Sequence, residues 1–363
     1  MGLRGVPAAN GLAPLLEKAA TGERLGENEG LRLFQEAELL ELGRAADRRR
    51  AALHPEGRVT FILDRNINYT NICVVGCRFC AFSRPPGHPR GTVIERETLA
   101  RKLDETVAVG GTQILLQGGV NPALDLGWYE DLLRFIKGGW GIHVHGFSPV
   151  EIRRLAEFSG LDVATTLRRL IDAGLDSIPG GGAEILSDRV RAAVSPRKDS
   201  SDEWLEVMET AHGLGLRTTA TMMFGHRETP GEILRHLELL RRLQDKTGGF
   251  TAFIPWSFQP ANTRLAAPAA TAVDYLRLLA LARLYLDNFA NLQLSYVTQG
   301  AKIGQTALRF GANDFGSLML EENVVAETGV RLLIPREEIE RLIRDAGFTP
   351  ALRNQRYEIL EVL

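Results

Sequence analysis

From Arg58 onward, short apolar runs alternate with longer amphipathic stretches, and that rhythm constrains the fold more than any single motif. Runs at 59–64, 112–117, 142–147, 177–179, 218–224, 250–258 and 292–297 predict strands, with a weaker eighth at 313–315. Helical spacing predicts helices over 95–109, 126–137, 149–158, 162–173, from 183 onward, and over 202–214, 230–245, 271–289 and 302–310. In the first of these Leu99, Leu103 and Val107 form one stripe, and Gly110 lies just past its end. Eight strands alternating with helices over roughly 250 residues is the pattern of an α/β fold, a (β/α)8 TIM-type barrel. The barrel is expected at 58–330, with an N-terminal helical extension at 1–57 and a C-terminal tail at 331–363 packed on it. In the extension Leu12, Leu15, Leu16 and Ala19 share one helix face; Leu33, Ala37, Leu40 and the stem of Arg44 share another. The basic run Arg48 to Arg50 suits a solvated helix end. The tail reads as a helix carrying Ile339, Leu342 and Ile343, then an edge strand at 357–362.

Barrel active sites lie on the loops that follow the strands. The polar and glycine-rich segments of this chain fall there: Gln117-Gly118-Gly119, His145, Gly180 to Glu184, Gly225-His226, 259–263 and 298–300. After the first strand come Cys73, Cys77 and Cys80, the only cysteines in 363 residues. A disulfide would leave one thiol over. Structural zinc takes four ligands and would need a histidine such as His88. Three inert thiols packing as small hydrophobes is the plainest reading. An iron–sulfur cluster on three thiolates would leave one iron open to a non-protein ligand, which suits chemistry better than electron storage. Ligand count and spacing favour the cluster.

Composition narrows the class. With 43 basic and 45 acidic residues the chain lacks the basic surplus of a nucleic-acid protein. It has no apolar run near the roughly 20 residues of a membrane helix. The start has no signal-peptide core. A cytoplasmic enzyme is expected.

The spacing Cys-x3-Cys-x2-Cys, with Phe79 before the last thiol, resembles the signature of the radical S-adenosylmethionine (SAM) enzymes. Segments 64–71, 177–186, 219–226 and 248–260 are similar to those of the cyclic dehypoxanthinyl futalosine synthases, which serve the futalosine route to menaquinone. The resemblance covers about 58–330. Aminodeoxyfutalosine synthases and deazaflavin-forming synthase subunits share the cysteine loop; Trp256-Ser257-Phe258-Gln259-Pro260 favours the cyclising family. Val120 stands where many members carry histidine.

The resemblance implies a radical SAM barrel with a 4Fe–4S cluster on Cys73, Cys77 and Cys80 and SAM on the open iron. It implies SAM contacts from Tyr69, Phe79, Gln117, Gly118, Gly119, His145, Glu184 and an arginine such as Arg189 or Arg197, although either arginine suits a plain surface position. Asn68, His226, Trp256, Gln259, Asn262, Thr298 and Gln299 would form the wall for dehypoxanthine futalosine. A low-potential donor such as flavodoxin or ferredoxin would reduce the cluster. A non-catalytic metal-binding module is the alternative of another class, and it would leave the strand-end polar residues without a purpose.

Overall fold

The computed structural model describes residues 11–363, so the first ten residues of the expected helical extension lie outside it. The run expected as one first strand folds as two in succession, β1 (Arg58–Ile62) and β2 (Asp64–Asn68). β2 begins a seven-stranded parallel sheet continued in chain order by β3 (Gln113–Gln117), β4 (His143–Gly146), β5 (Ser177–Ile178), β6 (Arg217–Phe224), β7 (Phe250–Ser257) and β8 (Asn291–Leu292). β9 (Asp314–Ser317) runs parallel to β1, and a bridge between Gln293 and Asp314 joins it to the end of β8. The N–H groups of Leu318 and Leu320 donate to the carbonyls of Ile62 and Asp64 at 2.8 and 3.0 Å. The ring is thus closed, with β1 and β2 serving as one bent strand, and the barrel is the (β/α)8 type.

Local chemistry explains the helices between the strands. Pro149–Ser159 and Pro230–Thr247 each start with a capping box, Ser148/Glu151 and Thr229/Glu232, and with proline in the first turn. Gly160 and Gly248 end them in the left-handed conformation that glycine tolerates best. The helix Ala272–Tyr285 is buried on nearly every side, because the barrel covers one face and the N-terminal helices α1 (Ala13–Thr21), α2 (Glu27–Glu36) and α3 (Leu39–Leu53) cover the other.

Several expectations fail for identifiable reasons. Leu40 is 65 % exposed instead of sharing the buried face of Leu33 and Ala37. The chain turns extended at Ala37, so α3 starts with a new phase and buries Leu42, Ala45 and Ala46, leaving Arg44 exposed. Arg50 is buried rather than solvated, bonding Asp47 at 2.7 Å and lying 4.5 Å over the Phe348 ring. The helix expected from 183 begins at Asp188; Glu184 has φ 41°, which no helix accommodates. The seventh strand stops at Leu292, and Tyr296–Gln299 forms a helical turn where extended chain was expected.

The tail departs furthest. β10 (Thr349–Arg353) inserts beside β1 in parallel, Arg58 opposite Thr349 and Phe61 opposite Leu352. β11 (Ile359–Val362) pairs antiparallel on its outer edge. Pro350 and Arg353 hide this strand from a propensity reading, yet Arg353 is the residue that seats it. Its guanidinium, 2 % exposed, donates to both Asp314 oxygens at 2.5 and 2.9 Å, and it lies 3.9 Å over the Tyr357 ring. Removing one partner of a buried pair strands the other charge. Arg353→Ala is therefore expected to lower stability by about 3–5 kcal/mol, measured by denaturant unfolding. A loss below about 1 kcal/mol would show that β10 is held by its backbone alone. No helix among the described residues is long and apolar enough to cross a membrane.

Candidate active site

The loop that leaves β2 is folded by its own backbone. Cys73 N–H donates to the Arg84 carbonyl at 2.8 Å, and Val74 N–H to that of Val120 at 3.0 Å. The Arg84 guanidinium reaches the carbonyls of Ala81, Phe82 and Ser83 at 2.6, 3.0 and 3.0 Å. The three thiols are free and line one cavity of about 320 Å³ at the C-terminal ends of the strands. Burial pushes the Cys77 thiol up to about 11, with the nearby Lys198 ammonium opposing it. Among the described residues, no three His, Cys, Asp or Glu side chains converge on a single-ion position. His88, the extra ligand a zinc site would need, accepts from Arg90 N–H at 3.1 Å on the exposed outer side.

Gly118 and Gly119 close the second side of the cavity. A Cβ on Gly119 would come within 2.2 Å of the Ile72 carbonyl oxygen, and one on Gly118 within 2.5 Å of the Tyr69 ring. The close approach these glycines permit is therefore to the cysteine loop itself and to Tyr69, while their backbone also faces the cavity. Glu151 pins the turn from behind. Its carboxylate accepts from Gly118 N–H at 3.0 Å, Tyr69 OH at 2.6 Å and Ser148 N–H at 2.7 Å. Burial pushes that carboxyl up, and these donors pull it back. Sequence reading missed Glu151, although Ser148-Pro149-Val150-Glu151 is a legible capping box.

On the third side lies Glu184. One carboxylate oxygen accepts from Lys198 Nζ at 2.8 Å, both side chains being buried, and Oε2 has no partner. Lys198, also missed, sits 5.2 Å over the Phe79 ring. No spacing rule links 79, 184 and 198; the φ of Glu184 and the bend after β5 bring them together. An unpartnered carboxylate oxygen beside a cavity of thiols is a receptor for a cationic N–H group.

The Radical SAM superfamily profile matches residues 67–240, and that of the CofH/MqnC C-terminal region matches 247–363. A cyclic dehypoxanthine futalosine synthase of Halalkalibacterium halodurans is 46% identical over 95% of this chain and 94% of its own. One from Streptomyces coelicolor is 45% identical over 97% and 89%. The chain belongs to the cyclic dehypoxanthine futalosine synthase family. A 5-amino-6-(D-ribitylamino)uracil–L-tyrosine 4-hydroxyphenyl transferase of Methanopyrus kandleri is a further relative, 42% identical over 84% of this chain and 85% of its own. Among solved structures, the FeFe-hydrogenase maturase HydG from Carboxydothermus hydrogenoformans shares the fold with a TM-score of 0.75 at 18% identity, covering 96% of this chain and 81% of that one.

Family membership makes the chain a radical SAM enzyme that uses a 4Fe–4S cluster and SAM. The residues present fit both groups. Three free thiols share one cavity, and Glu184 Oε2 is a buried acceptor with nothing bonded to it. Val120, which stands where the resemblance leads one to expect histidine, packs with Val75, Cys77 and Val150, so its role here is apolar contact.

Of the residues expected around SAM, Phe79, Gln117, Gly118, Gly119 and Glu184 line the cysteine cavity. Tyr69 does not: it is fully buried behind the glycine turn, bonded to Glu151. Arg189 does not either, being an exposed partner of Glu232 on the outer surface. Arg197 approaches from outside and donates to the Val75 carbonyl at 3.2 Å. His145 lies deeper, in a second cavity of about 250 Å³ inside the barrel. Its Nδ1 is 2.7 Å from Ser177 Oγ and its Nε2 is 3.2 Å from Gln355 Nε2. The two cavities share Gln117, Gly181, Trp256 and Thr298 in their walls, so they adjoin.

Of the residues expected at the substrate wall, Asn68, Trp256, Gln259 and Thr298 line the cysteine cavity. His226, Asn262 and Gln299 are not part of either cavity wall. Gly225, with φ 89°, turns the chain so that the His226 ring folds under the loop, 2.9 Å from the Met223 carbonyl and 3.1 Å from Glu228. Asn262 bonds the Glu327 carbonyl at 3.0 Å on the exposed rim. Gln299 donates to Ser257 Oγ at 2.7 Å and so braces its neighbours.

Proposed function

We propose that this chain cyclises dehypoxanthine futalosine to cyclic dehypoxanthinyl futalosine in menaquinone biosynthesis. The observation that carries this reading is the 45–46% identity, over nearly full length, to two synthases named for that product. When bound and reduced, the cluster and SAM would supply a 5′-deoxyadenosyl radical able to take hydrogen from the ribose 4′ carbon; that carbon would add to the benzoate ring, and return of one electron to the oxidised cluster with loss of a proton would restore aromaticity.

The chain's own residues hold and shield the reactants. Cys73, Cys77 and Cys80 ligate three irons. Glu184 Oε2, which has no partner of its own, would accept from the SAM ammonium, and the backbone of Gln117, Gly118 and Gly119 would border the cofactor. Trp256 presents an apolar face to the benzoate, while Asn68, Gln259 and Thr298 supply fixed polar contacts, the usual composition of such a site. The adjoining inner cavity offers the substrate's length a place away from water. The working unit is the barrel at 58–330, with 1–57 and 331–363 as extensions. A cytoplasmic location and a low-potential donor such as flavodoxin or ferredoxin complete the reading.

The 42% identity to the hydroxyphenyl transferase favours one second reading, a radical reaction on tyrosine. Anaerobic incubation with SAM, dithionite and, separately, dehypoxanthine futalosine, the aminodeoxyfutalosine precursor, or tyrosine with the aminouracil separates these by product mass. A cyclised product carrying two hydrogens fewer than dehypoxanthine futalosine is expected; consumption of only another substrate would reject the assignment.

A further inference from the structure

Three exposed arginines, Arg78, Arg197 and Arg264, lie in or against the cysteine loop, and a fourth, Arg227, reaches the segment that follows Arg264. Arg264 donates to the carbonyls of Gly76 and Cys77 at 2.9 and 3.3 Å, and Arg197 to that of Val75 at 3.2 Å. A Cβ on Gly76 would meet an Arg197 nitrogen at 2.3 Å and an Arg264 nitrogen at 3.8 Å, so both guanidinium groups cover the loop's tip. Arg78 lies in the loop itself; its side chain bonds the Ala193 carbonyl at 2.9 Å, and its own carbonyl accepts from Arg264 N–H at 2.8 Å. Arg227 bonds the Ala266 carbonyl at 2.8 Å, two residues along from Arg264.

Charge pairing distinguishes these four from their neighbours. Arg84 and Arg154 on adjacent segments pair with Glu327 and Glu157, each at 2.7 Å. Among the described residues, no carboxylate pairs with Arg78, Arg197, Arg227 or Arg264, whose partners are neutral carbonyls. Four unneutralised guanidinium groups on adjoining segments give this face a local positive charge. It carries that charge into solvent beside the carbonyls of Val75, Gly76 and Cys77, on the loop that holds the three thiols. Such a field attracts and orients a negatively charged partner.

We propose that this face is the docking surface for a small acidic protein that carries one low-potential electron. The inference rests on the radical SAM reading but not on the choice of substrate. With a flavodoxin as donor, its anionic flavin hydroquinone gives up one electron and becomes the neutral semiquinone, and the oxidised 4Fe–4S cluster gains that electron; no proton crosses.

The test uses full-length reconstituted enzyme with an acidic flavodoxin as probe. The variant is Arg78→Gln with Arg227→Gln, because neither side chain touches the carbonyls of the cysteine residues. Flavodoxin binding, measured without turnover, should weaken about tenfold in the variant at low salt. Wild-type binding should weaken steeply between about 0.05 and 0.5 M salt, and the variant's less so. Formation of 5′-deoxyadenosine should fall with flavodoxin as reductant and stay near wild type with dithionite. Unchanged flavodoxin binding overturns the proposal, and so does an equal loss with both reductants, which would assign the arginines to loop support. Should the double variant lose iron, Arg227→Gln alone and the wild-type salt series decide, and salt-insensitive wild-type binding overturns the proposal. No cleavage by wild type with dithionite would instead defeat the radical SAM reading itself.

Discussion

Replacing Cys77 with alanine is expected to reduce 5′-deoxyadenosine formation to background while leaving the barrel folded. The chain has three cysteines, all on one loop and all on one cavity, so no fourth thiol can substitute. The same holds for Cys73→Ala and Cys80→Ala. The structural cost is small: Cys77 belongs to a four-residue apolar cluster separate from the main core, and losing one sulfur there costs about 1 kcal/mol. Iron content, chromatographic assay of 5′-deoxyadenosine and circular dichroism together check the outcome. Retained SAM cleavage in any of the three would defeat the cluster assignment.

Gly119→Ala is expected to reduce SAM cleavage by about a hundredfold without touching a ligand, because a displacement near 1 Å in a reacting assembly costs that much. The new methyl would lie 2.2 Å from the Ile72 oxygen, 2.8 Å from its carbonyl carbon and 2.9 Å from Cys73 Cβ. Two of these atoms are backbone, so the cysteine loop has to move as a body. Overpacking of this kind costs about 1–3 kcal/mol in stability as well. Gly138→Ala is the control, since nothing lies within 4 Å of its Cβ and it sits inside the helix Leu126–Trp140. That variant should gain up to about 1 kcal/mol from helix propensity and keep full activity. Wild-type cleavage rates in Gly119→Ala would show that the loop absorbs the methyl and that the glycine turn does not set thiol position.

Much of this protein was legible from residue order. Alternating apolar runs and helical stripes specify a (β/α)8 ring because a parallel sheet closed on itself buries both faces of every strand. Cys73, Cys77 and Cys80 specify a shared centre because eight positions of chain cannot carry three thiols far apart. Phe79, Gln117 to Gly119, Glu184, Asn68, Trp256, Gln259 and Thr298 were placed at strand ends, and the cavity walls contain them all.

What spacing could not decide was the direction in which a strand-end side chain points. His226 and Glu184 both follow strands at glycine-rich turns, yet the turn at Gly225 buries one ring under its loop while Glu184 ends in the wall of the cavity that the thiols line. That choice is made by one or two backbone dihedrals set by distant packing, not by periodicity. Depth behaves the same way: His145 pairs with Leu115, two residues below the Gln117 that lines the cysteine cavity, and only the register of β4 against β3 reveals it. Lys198 and Glu151 enter the site through contacts spanning 14 and 82 residues, which no local pattern encodes. β10 is the extreme case. Its proline and its charge argue against a strand until Asp314, 39 residues away, supplies the partner that makes a buried arginine stable.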